Sequence, residues 1–231
     1  MMLHIPGVLS ASQVSQFRVR LQAAGWVDGR ITAGYQSGRA KHNLQLPESD
    51  EVSLALGAEV RAALRRSPLF LIAALPRRIF PPLFNCYREG DTFGNHIDNA
   101  VRYERGGAVV EDLQPVRTDL SVTLFLSEPE EYDGGELVIE EPSQSRRVKL
   151  PAGDMVLYPA TSVHRVEPIA RGMRFASFFW VQSLVRSVEH RRVLFDLDMS
   201  VQKLELDHPG HPVLVELTGL YHNLLRLWTD V

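Results

Sequence analysis

From residue 82 to residue 183 the chain is broken every few residues by Gly, Pro, Asp or Ser clusters, and the runs between them are short, β-branched and aromatic. That texture leaves no room for long helices and predicts strands. Eight runs follow one another: Leu83 to Arg88, Thr92 to Ile97, Arg117 to Leu126, Glu136 to Glu140, Arg146 to Leu150, Asp154 to Tyr158, Val163 to Glu167 and Met173 to Gln182. Eight short strands in succession fit a double-sheet jelly roll, that is, a double-stranded β-helix; a bladed or meander arrangement has the same periodicity.

On either side of this stretch the period changes. Ser10-Ala11-Ser12-Gln13 has the spacing of a capping box and precedes Val14, Phe17, Leu21 and Ala24, which predicts a helix starting there. A second helix is expected from about Glu48 to Arg66, with Val52, Leu54, Leu56, Val60, Ala63 and Leu64 as its apolar stripe and Pro68 as its stop. Beyond residue 183, Leu184, Val185, Val188, Val193 and Leu194 recur at helical spacing, and Val215, Leu217, Leu220, Leu224, Leu227 and Trp228 stripe a final helix. The expected fold class is α+β with a mainly β core. A helical or mixed support region at 1–81 precedes the jelly roll at 82–183. A C-terminal helical extension at 184–231 then braces the sheet or serves as a homo-oligomer contact.

Composition narrows the partners. With 231 residues, 45% of them hydrophobic, the chain can bury a large core. Its formal net charge of -3 supplies no positive field for nucleic acid or an anionic membrane, and its Arg pairs are scattered over different elements. No run reaches the roughly 18 apolar residues of a spanning helix, and the first residues lack the basic and apolar regions of a signal peptide, so the protein is expected to be soluble and cytoplasmic. Cys86 is the single cysteine; between Asn85 and Tyr87 and close to Phe84 it reads as a small buried hydrophobe rather than a nucleophile.

The chemistry starts at "GNHIDN", Gly94 to Asn99. Residues two apart on a strand share a face, so His96 and Asp98 can present an imidazole and a carboxylate to one point. Alone, the tripeptide reads as a turn residue and a surface carboxylate. A second histidine, His164, sits in a strand-like run between Pro159 and Pro168; two histidines and a carboxylate form the facial triad that leaves open positions on non-haem Fe(II). Arg174 heads a strand that is apolar on both faces, through Phe175, Ala176, Phe178, Phe179 and Trp180. A cation there is costly unless an anion meets it, either a ligand carboxylate or an internal Asp or Glu. Arg171, in the preceding turn, is expected to be solvated.

Together these residues resemble the Fe(II)/2-oxoglutarate dioxygenases. "NCYREGDTFGNHIDN" is similar to the tyrosine, glycine and His-x-Asp run of the prolyl and lysyl hydroxylase branch, and "GGEL" and "HRVEPIARGMRFASFFWVQSLVR" to its later strands. The last segment resembles the bacterial PKHD-type hydroxylases, the PiuC/YbiX-like group associated with iron uptake, and the similarity runs over most of the chain. The resemblance implies that His96, Asp98 and His164 hold catalytic Fe(II), that Arg174 binds the distal carboxylate of 2-oxoglutarate, and that Tyr87 lines the co-substrate pocket. It implies O2 as oxidant and succinate and CO2 as products, and extends to L-ascorbate as a further cofactor. The collagen-type branch has lysine where this chain has Arg174, so a collagen-like substrate does not follow. Small molecules and protein side chains both stay open as substrates.

A competing reading is a cupin-like metal or small-molecule sensor without oxygenase activity. Cupins usually place a glutamate a few residues after His-x-His, whereas here Asp98 occupies the second position and the next acidic residue is Glu104. The segment Asn99 to Arg117, with Gly106-Gly107 and mixed charges, suits a substrate lid or a plain surface connection. His208 and His211, separated by Pro209 and Gly210, read as a turn into the last helix rather than a metal site, and His4, His42, His190 and His222 have no partners at ligand spacing.

Overall fold

The computed structural model describes residues 1–32, 37–104, 114–141 and 144–230. All eight expected runs form strands: Leu83–Tyr87, Thr92–His96, Leu120–Phe125, Leu137–Glu141, Gln144–Val148, Met155–Pro159, His164–Val166 and Arg174–Ser183. They divide between two antiparallel sheets, the two faces of a double-stranded β-helix. The larger runs in the order Leu3–Ile5, Met155–Pro159, Leu120–Phe125, Arg174–Ser183, Leu83–Tyr87, Leu44–Gln45 and Val27–Asp28, with Pro76–Ile79 paired to the far end of Arg174–Ser183. The smaller runs Gln144–Val148, Leu137–Glu141, His164–Val166, Thr92–His96 and Lys41–His42.

Arg174–Ser183 shows why its sequence is apolar on both faces. Phe175, Phe179 and Val181 pack with Phe84, Cys86, Val122, Leu124 and Leu157 against the helices Ala11–Gln22, Glu51–Leu64 and Pro68–Ala74, through Phe17, Leu21, Leu56, Val60, Leu64 and Phe70. The alternate residues Arg174, Phe178 and Trp180 face the space between the sheets. A strand covered by helices on one side and a second sheet on the other has no solvent face, so the usual polar alternation disappears. Cys86 lies in the helix-facing layer, 2% exposed, and burial pushes its thiol up to about 12. The native protein is therefore expected to resist iodoacetamide at pH 8 and to label fully in urea, read by intact mass; rapid native labelling would contradict the burial.

The first helix begins as expected, with Ser10 and Gln13 closing a capping box. The N-terminal region departs from the helical expectation elsewhere. Leu3–Ile5, Val27–Asp28, Lys41–His42, Leu44–Gln45 and Pro76–Ile79 are strands that extend both sheets, and at two to four residues each they are too short to display a period. Pro68 does not merely end a helix. The second helix stops at Leu64, and Pro68 opens another at its first position, where a missing N–H costs nothing, with Ser67 as the cap. Leu54, expected on the apolar stripe, is 54% exposed; Ser53 and Gly57 take the buried face with Leu56, Val60, Ala63 and Leu64.

Two further corrections concern the core. Arg117 ends a separate strand, Gln114–Arg117, rather than opening Leu120–Phe125. The break falls at Asp119, whose carboxylate accepts from the Arg117 guanidinium and from the Ser183 N–H, both at 2.8 Å. Arg171 is solvated as expected, in an exposed ion pair with Asp133, but it lies in a short strand, Ile169–Gly172, paired with Tyr132–Gly134, rather than in a turn. In that pairing Gly134 sits at φ 74°, and a Cβ there would come within 2.1 Å of the Pro168 carbonyl oxygen. Gly134→Ala is expected to cost about 2–3 kcal/mol, read as a lower urea midpoint at unchanged m value; an unchanged midpoint would contradict the close approach.

The tail forms two helices, Val188–Asp207 and Val213–Trp228, with His208 and His211 in the turn between them. Leu194 and Val185 pack with Leu75, and Tyr221, Leu224, Leu225 and Trp228 close over them, so the extension braces the body of the fold. Part of the expected stripe is not used for this: Val215 is 78% and Leu227 74% exposed. Among the described residues no helix is long and apolar enough to cross a membrane.

Candidate metal centre and its pocket

In the smaller sheet, His164–Val166 lies between Leu137–Glu141 and Thr92–His96, and His164 is the direct cross-strand partner of His96. Opposed residues in an antiparallel pair share a face, and the two imidazole rings stand 4.1 Å apart between centroids. Each ring donates from Nδ1–H to a carbonyl two residues back, His96 to Gly94 at 2.9 Å and His164 to Ser162 at 3.1 Å. Those bonds set both tautomers and leave each Nε2 lone pair directed away from the backbone, as a metal ligand requires. Phe93 stacks on His96 at 3.5 Å, and Tyr158 meets His164 edge-on at 5.2 Å. Burial, and then the neighbouring His164, push His96 down to about 4, so its imidazole is neutral at physiological pH.

Asp98 arrives differently from the sequence expectation. The strand ends at His96, and Asp98 lies in the segment that follows, so period-two alternation is not what aims it. The Ser121 hydroxyl donates to its Oδ2 at 2.6 Å, and that oxygen lies 3.8 Å from His164 Nε2. One donor atom from each of His96, Asp98 and His164 lies within 4.8 Å of the others; among the described residues no other group of three such side chains converges in this way. Two imidazoles and one carboxylate with this spacing suit a divalent cation, and three ligands leave coordination positions for other groups.

The same pocket is lined by Arg174 and Tyr87, cross-strand partners at the start of Arg174–Ser183. Arg174 is 1% exposed, and its guanidinium carbon lies 5.4 Å from the Tyr87 ring centroid and 5.2 Å from that of Phe125. Its Nε and Nη2 have no hydrogen-bond partner among the described residues, so no internal acid meets them. Two unpaired donors of a buried guanidinium are the complement of a carboxylate. Burial pushes the Tyr87 hydroxyl up to about 12 against the pull of Arg174, which keeps it a neutral hydrogen-bond donor.

Several lining residues were missed by the sequence reading. Ser121 and Thr123 alternate on the inward face of Leu120–Phe125, and this repeated hydroxyl in an otherwise apolar run was a legible hint of a polar pocket. Lys41 lines the pocket from a two-residue strand paired with Thr92 and Phe93, and is only 3% exposed. Its ammonium donates to Gln45 Oε1 at 2.9 Å and lies 5.5 Å from the Phe93 ring centroid and 5.4 Å from that of Phe178. Burial and the charge of Arg102 pull Lys41 down to about 8, with Asp98 opposing. Arg102 belongs to a hairpin, Val101–Glu104 with Gln114–Arg117; it stacks on Trp180 at 4.7 Å and pairs with Glu48 at 3.2 Å. The expected lid thus begins and ends as paired strands beside the pocket, and its middle, including Gly106 and Gly107, lies outside the described residues.

Comparison with known proteins agrees with this geometry. The model of the 2OG-Fe(II) oxygenase superfamily matches residues 82–182, and that of the PKHD-type hydroxylase C-terminal domain matches residues 189–230. A PKHD-type hydroxylase of Xanthomonas campestris pv. campestris (strain B100) is 59% identical over the whole of both chains, and the PKHD-type hydroxylase PiuC of Pseudomonas aeruginosa is 55% identical, again over the whole of both. Among solved structures, a prolyl hydroxylase from Trichoplax adhaerens in complex with a hypoxia inducible factor peptide fragment has the same fold. It aligns with a TM-score of 0.56 at 17% identity, covering 84% of this chain and 86% of that one. The family works with Fe(II), 2-oxoglutarate and O2, which meets the cofactor expectation and replaces the cupin-like sensor as a reading of the chain. By full-length identity and by both family models, this chain belongs to the PKHD-type hydroxylases of the 2OG-Fe(II) oxygenase superfamily and is a 2-oxoglutarate-dependent hydroxylase.

Proposed function

We propose that His96, Asp98 and His164 hold the catalytic Fe(II), that Arg174 binds the distal carboxylate of 2-oxoglutarate, and that Tyr87 lines the co-substrate pocket. The observation that carries this reading is the convergence of the three donor atoms within 4.8 Å in the pocket that also holds the unpaired Nε and Nη2 of Arg174. Iron held there would supply the oxidising chemistry by which 2-oxoglutarate and O2 give succinate, CO2 and a hydroxylated primary substrate. The chain's own residues bind and aim. His96 and His164 offer their Nε2 lone pairs, Asp98 offsets part of the metal charge while Ser121 fixes its carboxylate, and Arg174 orients the co-substrate by a two-point grip. Phe93, Phe178 and Trp180 form apolar walls that exclude water from the reacting groups.

A use of ascorbate and a link to iron uptake are supported by the family resemblance alone. The experiment is anaerobic addition of Fe(II) and 2-oxoglutarate: a weak visible charge-transfer band is expected, followed on admission of O2 by succinate release. Absence of the band at saturating metal and co-substrate would overturn the assignment.

A further inference from the structure

Beside Arg174 lies a buried polar group that the metal and co-substrate assignment does not use. Tyr132 opens the short strand Tyr132–Gly134 and is 0% exposed, in the same packed cluster as Tyr87 and Phe125. Those are the two rings on which the Arg174 guanidinium rests, at 5.4 and 5.2 Å. The Tyr132 hydroxyl has no aligned hydrogen-bond partner among the described residues. A buried phenol ordinarily has one, so its absence marks a place where a ligand atom is missing.

The fold fixes where that hydroxyl points. Cross-strand pairing sets Tyr132 opposite Gly172, two residues before Arg174, and a Cβ on Gly172 would come within 3.1 Å of Tyr132 Cα. The ring is held from both ends of its own turn: a Cβ on Gly135 would come within 3.0 Å of Tyr132 Cε2, and the Lys149 ammonium lies 4.1 Å from the ring centroid. Lys149 also donates to the Tyr132 carbonyl at 2.7 Å. Burial pushes the Tyr132 hydroxyl up, and Arg174 pulls it down, through its charge and through a donor beside the phenol oxygen. The hydroxyl therefore stays protonated and keeps a hydrogen to donate. A guanidinium has donors only, so Arg174 can never accept that hydrogen. Tyr132 Oη–H and Arg174 Nε and Nη2 are thus three buried donors without an acceptor among the described residues, and a carboxylate, with about four lone-pair sites, is the acceptor that serves them together.

We propose that Tyr132 is a further co-substrate-binding residue, whose hydroxyl donates to the distal carboxylate of 2-oxoglutarate as the third donor beside Nε and Nη2 of Arg174. This deepens the co-substrate assignment proposed above and rests on it. Tyr132 does not line the open part of the pocket, as Arg174 does, so it stands at the closed end and fixes where the co-substrate stops. Such an end selects 2-oxo acids with a second carboxylate, because an acid without one leaves all three donors unpaired.

The test compares 2-oxoglutarate with 2-oxopentanoate, which keeps the chelating end and the chain length but ends in a methyl group. Each is titrated anaerobically into Fe(II)-loaded wild type, Tyr132→Phe and Arg174→Met and followed by the charge-transfer band. Tyr132→Phe is expected to bind 2-oxoglutarate about 10–100-fold more weakly and 2-oxopentanoate within about twofold of the wild type. Its urea midpoint without co-substrate should be no lower than that of the wild type, since the hydroxyl removed has no partner there. Equal weakening of both acids, or a lower midpoint, would make Tyr132 a structural residue and overturn the proposal. Normal 2-oxoglutarate affinity in Tyr132→Phe alone would overturn it and leave Arg174 in place, whereas normal affinity in Arg174→Met would overturn the co-substrate assignment itself.

Discussion

Asp98→Ala is expected to lower kcat/KM for 2-oxoglutarate turnover by at least about 10³-fold, equivalent to roughly 4 kcal/mol of lost transition-state stabilisation. Among the described residues Asp98 is the single acidic side chain lining the pocket, and it supplies the one anionic oxygen within reach of both histidines. Alanine leaves two imidazoles, which retain a divalent cation weakly and no longer fix which coordination positions stay open. The fold should survive, because Asp98 lies beyond the end of its strand and its described side-chain hydrogen bond is the one from Ser121. Unchanged circular dichroism, loss of the charge-transfer band and loss of succinate release together are the expected signature. Ser121→Ala should give a graded version, about 10–100-fold weaker metal binding, since it removes only the donor that orients the carboxylate. An Asp98→Ala protein with near-normal turnover would remove Asp98 from the metal site.

The second large effect is expected at Arg174, in two opposite directions. Arg174→Met should weaken 2-oxoglutarate binding by about 10²–10³-fold, the 3–5 kcal/mol typical of breaking a buried charge pair at roughly 1.4 kcal/mol per tenfold. Metal affinity without co-substrate should be unaltered. The same substitution should make the protein free of co-substrate more stable, by about 1–2 kcal/mol, because a 1% exposed guanidinium with two unpaired nitrogens is replaced by an apolar chain of similar reach. The gain stays modest because the cation rests on the Tyr87 and Phe125 rings, contacts that methionine replaces only in part. Urea denaturation with and without 2-oxoglutarate separates the two effects: the wild type gains stability from the ligand and the variant does not. A variant that is less stable without ligand, or still binds 2-oxoglutarate normally, would show that Arg174 is a structural cation.

The legibility of these features in the sequence follows from length and from chain separation. Strands of three to ten residues punctuated by Gly, Pro and Asp declare themselves, and all eight in the core were readable, as was the capping box at Ser10. The two-residue strands Lys41–His42 and Leu44–Gln45 carry no period, so the share of the N-terminal region in both sheets was hidden. His96 and His164 were readable as a pair because the family pattern links them, yet what brings them together is a cross-strand register that local spacing does not contain. Asp98 was reached for a partly mistaken reason: alternation along a strand was the argument, whereas a serine from the other sheet holds it. Arg174 was legible because a cation in an apolar run is anomalous on its face. Lys41 was not, because a lysine beside Ala40 and His42 in a polar stretch looks solvated, and only the pairing with Thr92 and Phe93 turns it into the pocket.

The most direct measurement is a crystal structure of the protein grown anaerobically with Mn(II) and 2-oxoglutarate. The account predicts the metal bound by Nε2 of His96, a carboxylate oxygen of Asp98 and Nε2 of His164, and the distal carboxylate of 2-oxoglutarate hydrogen-bonded to Nε and Nη2 of Arg174. A metal bound without any one of these three ligands, or a distal carboxylate seated on Lys41 with Arg174 still unpaired, would contradict it.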